Sequence, residues 1–298
     1  MRAPETFEGA RAAPEGRPLR GAGRLNCEPM ILPSAPLALW LLAASAALAY
    51  ALGAASAARA GAGAHAGRSL WAMAPAWVLH AVTLAWGLMG STPHFGFAPA
   101  LSMTAWLVLT IYAVEHQLFP QMRARAALGG LGAAAVLLAA LFPGRALPVS
   151  ASPWLALHLT LGVACYGLFA AAVIHAWLMG RAERQIRQAV TSSTALPLLT
   201  LERLTLRFVA AGFLLLSATL VAGWLFGEAL YGQAWRWDHK AVFSLLAWLT
   251  FAVLLLGRAR FGWRGARAAR VLYAGAALLL LAYAGSRFVM EVLLGRAG

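Results

Sequence analysis

The ten residues Tyr231-Gly232-Gln233-Ala234-Trp235-Arg236-Trp237-Asp238-His239-Lys240 stand between two apolar runs, 204–227 and 241–257. Each run approaches the roughly 20 residues a helix needs to cross a bilayer. The stretch between them therefore emerges at a membrane surface rather than in a soluble core. Two tryptophans, a carboxylate, a histidine and two cations lie within Trp235 to Lys240. Two readings fit these residue types. One is an interfacial aromatic belt, because Trp favours the headgroup region and Arg and Lys reach into it. The other is a flat apolar shelf for a planar ligand with acid groups, the cations lying near the acids.

Working outward, the whole chain has the same character. It is 61% hydrophobic and 11% charged, with a mean hydropathy of +0.71. Those values exclude the soluble globular class and predict an all-α integral membrane protein. The net charge of +14 does not point to nucleic acid, since the basic residues are spread over short loops between apolar runs. Two cysteines, Cys27 and Cys165, do not make a disulfide framework. No Cys-x-x-Cys-His is present, so the chain is not itself a c-type cytochrome. It also lacks a Gly-rich phosphate loop, a His-Glu-x-x-His zinc spacing and a nucleophile elbow.

Residues 1–29 are rich in Arg, Ala, Gly, Pro and Glu and read as a disordered tail, or as an over-extended start ahead of Met30. Residues 30–298 are expected to form one polytopic membrane domain. Apolar stretches recur near 34–58, 69–90, 98–119, 124–143, 153–180, 204–227, 241–257 and 268–292, which predicts about eight transmembrane helices. One alternating set of loops carries thirteen arginines, from Arg59 and Arg68 to Arg258, Arg260, Arg264, Arg267 and Arg270. The opposite set carries three basic residues, Arg145, Arg236 and Lys240. The positive-inside bias puts the second set, the tryptophan-rich loop and both termini on the extracytoplasmic side.

Ionisable groups inside spans are costly and therefore informative. His80 falls near the middle of the second apolar stretch, roughly 15 Å from its cytoplasmic end at the helical rise. His158 falls about one and a half turns below the outer end of the fifth. Each is read either as a histidine hydrogen-bonded to a neighbouring helix or as an axial ligand for haem iron. Gly87 and Gly162 lie on the same helical faces and leave room for a macrocycle. His65, His116 and His175 read as solvated at cytoplasmic ends, Glu115 as snorkelling, and Cys165 as a small packing residue. Arg287 is either an interface anchor or a partner for a propionate.

The spacing of the loop resembles the signature W-G-x-x-W-x-W-D of the cytochrome c assembly family, the haem-handling membrane proteins of CcsA, CcmC and CcmF type. Gly232, Trp235, Trp237 and Asp238 match, and Tyr231 stands where the family has its first Trp. The family continues Pro-Lys-Glu, whereas this chain reads His239-Lys240-Ala241, losing a carboxylate and gaining a possible iron ligand. The second half also resembles the YpjD and HemX-like branch, at Leu157-His158-Leu159, Pro197 to Arg203, Lys240 to Trp248, Gly262-Trp263-Arg264-Gly265 and Leu281 to Arg287. Over the first four stretches the likeness rests mainly on Leu79-His80-Ala81.

The resemblance implies a bacterial inner-membrane protein that binds haem, here haem b, and presents it at the extracytoplasmic face for cytochrome assembly. It implies membrane histidines as ligands, carried onto His80 and His158, and an outer pair for which His94 and His239 are the candidates. Trp235, Trp237 and Tyr231 would line the ring, Asp238 would hold the loop or a cation, and Arg236, Lys240 and Arg287 would meet propionates. Expected partners are membrane lipid, haem and other cytochrome c biogenesis proteins or an apocytochrome, with no nucleic acid. A holding or chaperone role is expected rather than complete thioether ligation, so no catalytic residue is named. Two alternatives remain: a transporter or channel accessory using the intramembrane histidines, and a cofactor-free HemX-like regulatory protein.

Overall fold

In lipid every backbone N–H and C=O must find a partner within the protein, and a helix achieves this segment by segment. The computed structural model follows that rule. It describes residues 37–59, 73–89, 94–118, 125–146, 153–188, 198–226 and 237–289. The helices are α1 (Leu37–Arg59), α2 (Ala74–Met89), α3 (Phe97–Leu118), α4 (Arg125–Leu141), α5 (Pro153–Arg187), α6 (Leu198–Leu225), α7 (His239–Phe261) and α8 (Gly265–Leu280). A π-helical turn, Leu281–Gly285, and a short turn α9 (Ser286–Phe288) continue α8.

The chain is an all-helical membrane protein. Six candidate spans are long and apolar enough to cross a bilayer: Leu37–Ser56, Phe97–Gln117, Trp154–Arg187, Leu198–Leu225, His239–Phe261 and Gly265–Phe288. The other two helices, α2 and α4, are apolar but shorter, at 16 and 17 residues. At the helical rise they reach about 24–26 Å, under the roughly 30 Å hydrocarbon thickness.

Packing divides the helices into two groups. In the first, α1 packs on α2 and α4, and α3 packs on α4. Small residues such as Ala43, Ala46 and Ala47 of α1 meet Val136 and Ala140 of α4 there. In the second, α5 to α8 close around two stacked rings, Phe169 and Phe251, with centroids 3.8 Å apart and planes 9° from parallel. Each ring lies over a glycine of a third helix: a Cβ at Gly212 would come within 3.1 Å of Phe169, and one at Gly275 within 2.7 Å of Phe251. The α3–α5 contact joins the groups.

Two junctions show why the chain turns where it does. After α7, Gly262 adopts φ +61° and donates to Arg258 O, while Trp263 N–H reaches back to Gly257 O at 3.2 Å. The bond from Gly262 to Arg258 is that of an αL C-cap, which favours glycine at the left-handed position. At the end of α8, the Tyr166 hydroxyl donates to Leu279 O just ahead of the π turn. A side chain entering the backbone ladder is a recognised cause of such local changes of helix.

An antiparallel pair of two-residue strands, β1 (His94–Phe95) and β2 (Arg145–Ala146), ties the α2–α3 and α4–α5 connections together. Phe95 contacts Tyr283, and Phe97 contacts Phe288, so the π turn and α9 reach the same end of the bundle.

Candidate functional site

The tryptophan-rich loop is described from Trp237 onward; Tyr231, Trp235 and Arg236 lie outside the described residues. Asp238 is the N-cap of α7, with extended backbone (φ −94°, ψ 170°), and its Oδ1 accepts the Ala241 N–H at 2.9 Å. This bond satisfies one of the orphan donors of the first turn, which explains a carboxylate at this point of the motif. Trp237, immediately before the cap, is 70% exposed. His239 is exposed and Lys240 half-buried, both in the first turn of α7.

Trp248 Nε1 donates to Ser217 Oγ at 2.8 Å and thereby sets α7 against α6. Where α6 ends, Phe226 stacks on Trp154 at the start of α5, with centroids 3.9 Å apart. Directly below, one turn along α5, is His158. It hydrogen-bonds the backbone of Thr219 on α6. Its ring packs against Gly223, where a Cβ would approach Cε1 to 3.4 Å and Nδ1 to 3.8 Å. Gly162, on the same face of α5, leaves a Cβ only Thr219 Cγ2 to meet, at 3.9 Å. The α5–α6 seam thus combines an imidazole, two glycines packed beside it and an aromatic stack one turn away.

His80 sits in a different setting. It is fully buried in α2, with Nδ1 3.2 Å from Tyr50 Oη of α1 and Nε2 2.8 Å from Ser102 Oγ of α3. Both ring nitrogens are engaged by hydroxyls. Bonding from Nδ1 to a neighbouring oxygen is what orients a ligand histidine, so the Tyr50 contact suits that role. Ser102 occupies the position iron would take at Nε2, and ligation there requires its hydroxyl to turn away. Gly87, two turns along α2, meets nothing within 4 Å.

The remaining candidates gather at the end of the bundle that carries β1 and β2. His94 pairs with Ala146 across the two strands and is partly exposed. Arg287 follows the π turn and is half-buried. The structure therefore brings His94 and Arg287 to one end, while His80 is held by α1 and α3 and His158 by α6. Among the described residues no group of three or more His, Cys, Asp or Glu is arranged to hold a metal ion.

Three expectations are corrected. Glu115, His116 and His175 are not solvated at a helix end but buried, at 5%, 4% and 3% exposure. His175 Nε2 lies 3.0 Å from Glu115 Oε2, joining α5 to α3. The sequence signal was present, since a carboxylate in an apolar run is costly unless paired, but the partner on another helix was not legible. His65 lies outside the described residues. Cys165 packs as expected, 1% exposed.

The family model described as "Cytochrome C assembly protein" matches residues 68–294. An uncharacterized 28.8 kDa protein of Azospirillum brasilense is 35% identical over 48% of this chain and 54% of its own length. Inner membrane protein YpjD of Escherichia coli K12 is 31% identical over 49% of this chain and 55% of its own. Cytochrome c biogenesis protein CcsA of Synechococcus is 26% identical over 68% of this chain and 77% of its own. The chain thus spans about half the length of the first two relatives. No solved structure matches it.

Proposed function

The chain belongs to the cytochrome c assembly protein family, and from that premise we propose that it is a multi-pass inner-membrane protein that binds haem and presents it at the extracytoplasmic face. The observation that carries this reading is the α5–α6 seam. There His158 sits one turn from the Trp154–Phe226 stack and against Gly223. The tryptophan-rich loop begins from the same side, because α7 runs back antiparallel from the end of α6.

In this reading His158 is the principal axial ligand, and His80 is a second whose Nδ1 is already oriented by Tyr50. His239 and His94 supply an outer pair. Trp237, with Trp235 and Tyr231, covers the ring face where haem meets water, and Arg236, Lys240 and Arg287 meet the propionates. Asp238 fixes the start of α7 so that Trp237 and His239 are presented together. Haem supplies whatever iron chemistry follows; the chain's part is to bind, orient and shield it. The topology proposed with it has eight crossings and both termini extracytoplasmic, with 30–298 as the membrane domain, and the haem is of b type. Its partners are other biogenesis proteins or an apocytochrome.

The test is the absorbance spectrum of detergent-purified protein expressed with haem supplementation. A Soret band that co-purifies and falls in His158→Ala supports the reading; apoprotein after supplementation contradicts it.

A further inference from the structure

Where the end of α5 meets the start of α8, the chain carries charge that haem handling does not use. The candidate span Trp154–Arg187 ends at the level where Gly265–Phe288 begins, because a Cβ at Gly265 would lie 3.7 Å from Glu183 Oε1 of α5. Both span ends therefore reach the same membrane surface. The arginines there fall into two sets. Arg258 and Arg264 are bound to Glu202, at 2.6 and 3.3 Å, and Arg267 Cζ lies over the Trp263 ring, 5.7 Å from its centroid. Arg184 and Arg270 are exposed, and among the described residues neither forms an ion pair.

Arg270 Nε donates to Ala266 O of its own helix at 3.3 Å, which steadies the guanidinium and leaves both Nη groups for a ligand. Tyr273 is the third member. It follows Arg270 by three residues, so the two are neighbours on the surface of α8, and it stands close enough to Arg184 for the two to interact electrostatically. Its side chain is 38% exposed, and its hydroxyl has no hydrogen-bond partner among the described residues.

Apolar surface continues from these groups into the spans. On α5, Trp177 and Arg181 share the face of Arg184 at helical spacing; the Trp177 side chain is 46% exposed, with Arg181 Cζ 5.7 Å from its ring centroid. On α8, Leu280 is exposed two turns beyond Tyr273 on the same face. Two guanidinium groups and a phenol donor above exposed apolar side chains match a phosphodiester headgroup above acyl chains. A zwitterionic lipid carries its own ammonium beside the phosphate, so the unpaired arginines favour a headgroup of net negative charge. The positive-inside bias asks only for charge at this end; it requires neither the phenol nor the apolar surface that continues from it.

We propose that the edge between α5 and α8 is a binding site for an anionic phospholipid. Arg184 and Arg270 hold its phosphate, Tyr273 Oη donates to a phosphate or ester oxygen, and its acyl chains run past Trp177 and Leu280. The lipid bridges the two helices at the membrane surface.

Native mass spectrometry of the full-length protein in detergent tests the site, with phosphatidylglycerol, phosphatidylcholine of the same chains, inorganic phosphate and polyglutamate as probes. We expect phosphatidylglycerol to bind more tightly than phosphatidylcholine. An arginine beside an anionic headgroup is worth about fivefold in affinity, so Arg184→Gln combined with Arg270→Gln should weaken phosphatidylglycerol binding about thirtyfold. Tyr273→Phe should weaken it less, and Arg267→Gln, whose guanidinium is engaged by Trp263, should leave it unchanged. Equal binding of the two lipids to wild type would overturn the proposal, as would wild-type phosphatidylglycerol binding in the double variant. A loss in Arg267→Gln as large as in either single Arg184→Gln or Arg270→Gln would reduce the effect to net charge and overturn the site. Displacement of the lipid by inorganic phosphate would make this a site for the free anion, and polyglutamate binding that phosphatidylglycerol does not reverse would make it a docking surface for an acidic protein; either contradicts the proposal. If the double variant does not accumulate, the lipid preference of wild type and the Tyr273→Phe titration decide.

Discussion

Asp238 illustrates how far a single side chain can be read. The sequence assigned it to holding the loop or a cation, and the structure uses it as the N-cap of α7 through the Ala241 N–H. Asp238→Ala should cost about 1 kcal/mol and Asp238→Asn a few tenths, since Asn caps nearly as well. Thermal unfolding of the solubilised protein measures both, and equal losses would mean the charge, not the cap, is what matters. Trp237 is exposed where an interface belt or a ring shelf would need it, so exposure alone does not separate the two. The paired change Trp235→Ala and Trp237→Ala does: a shelf predicts lower haem occupancy at normal protein level, through lost dispersion and apolar coverage at one face. Unchanged haem content in that variant would reduce the loop to an interface belt.

Among the helices, length and apolarity were legible because the bilayer sets both. The Gly262 to Gly265 turn was visible as glycines flanking Trp263, though the bonds that close the helix, to Arg258 O and Gly257 O, were not. The π turn was hidden, because it arises where Tyr166 of α5 reaches Leu279, a tertiary contact with no local signature. The same reason hid the Glu115–His175 pair, whose partners lie on α3 and α5. It also hid the hydroxyls on either side of His80, since Tyr50 and Ser102 belong to other helices. The Phe169–Phe251 stack is the clearest energetic consequence of helix packing. Gly275→Val places a side chain where Phe251 already lies, its Cβ within 2.7 Å of the ring. Overpacking of this kind costs about 1–3 kcal/mol, so its melting temperature should fall, whereas Gly130→Val, at a site open within 4 Å, should change it little. Equal effects would mean that the stack yields easily and does not key the four helices.

For the molecule as a whole, the two strands and the contacts of Phe95 and Phe97 gather His94, Arg145 and Arg287 at one end. The paired Glu202, Arg258 and Arg264 stand at the α7–α8 turn. The loop charges predict which end faces the cytoplasm: a reporter fused after Gly232 should be active only outside, and one fused between 189 and 197 only inside. The opposite pattern would place the tryptophan-rich loop on the wrong side for haem presentation. The most direct measurement remains the visible spectrum of protein purified after haem supplementation, compared among wild type, His158→Ala and His175→Ala. The haem reading predicts a low-spin spectrum in wild type, its loss or marked weakening in His158→Ala, and no change in His175→Ala. Wild-type haem content in His158→Ala would contradict the assignment of the α5–α6 seam as the haem site.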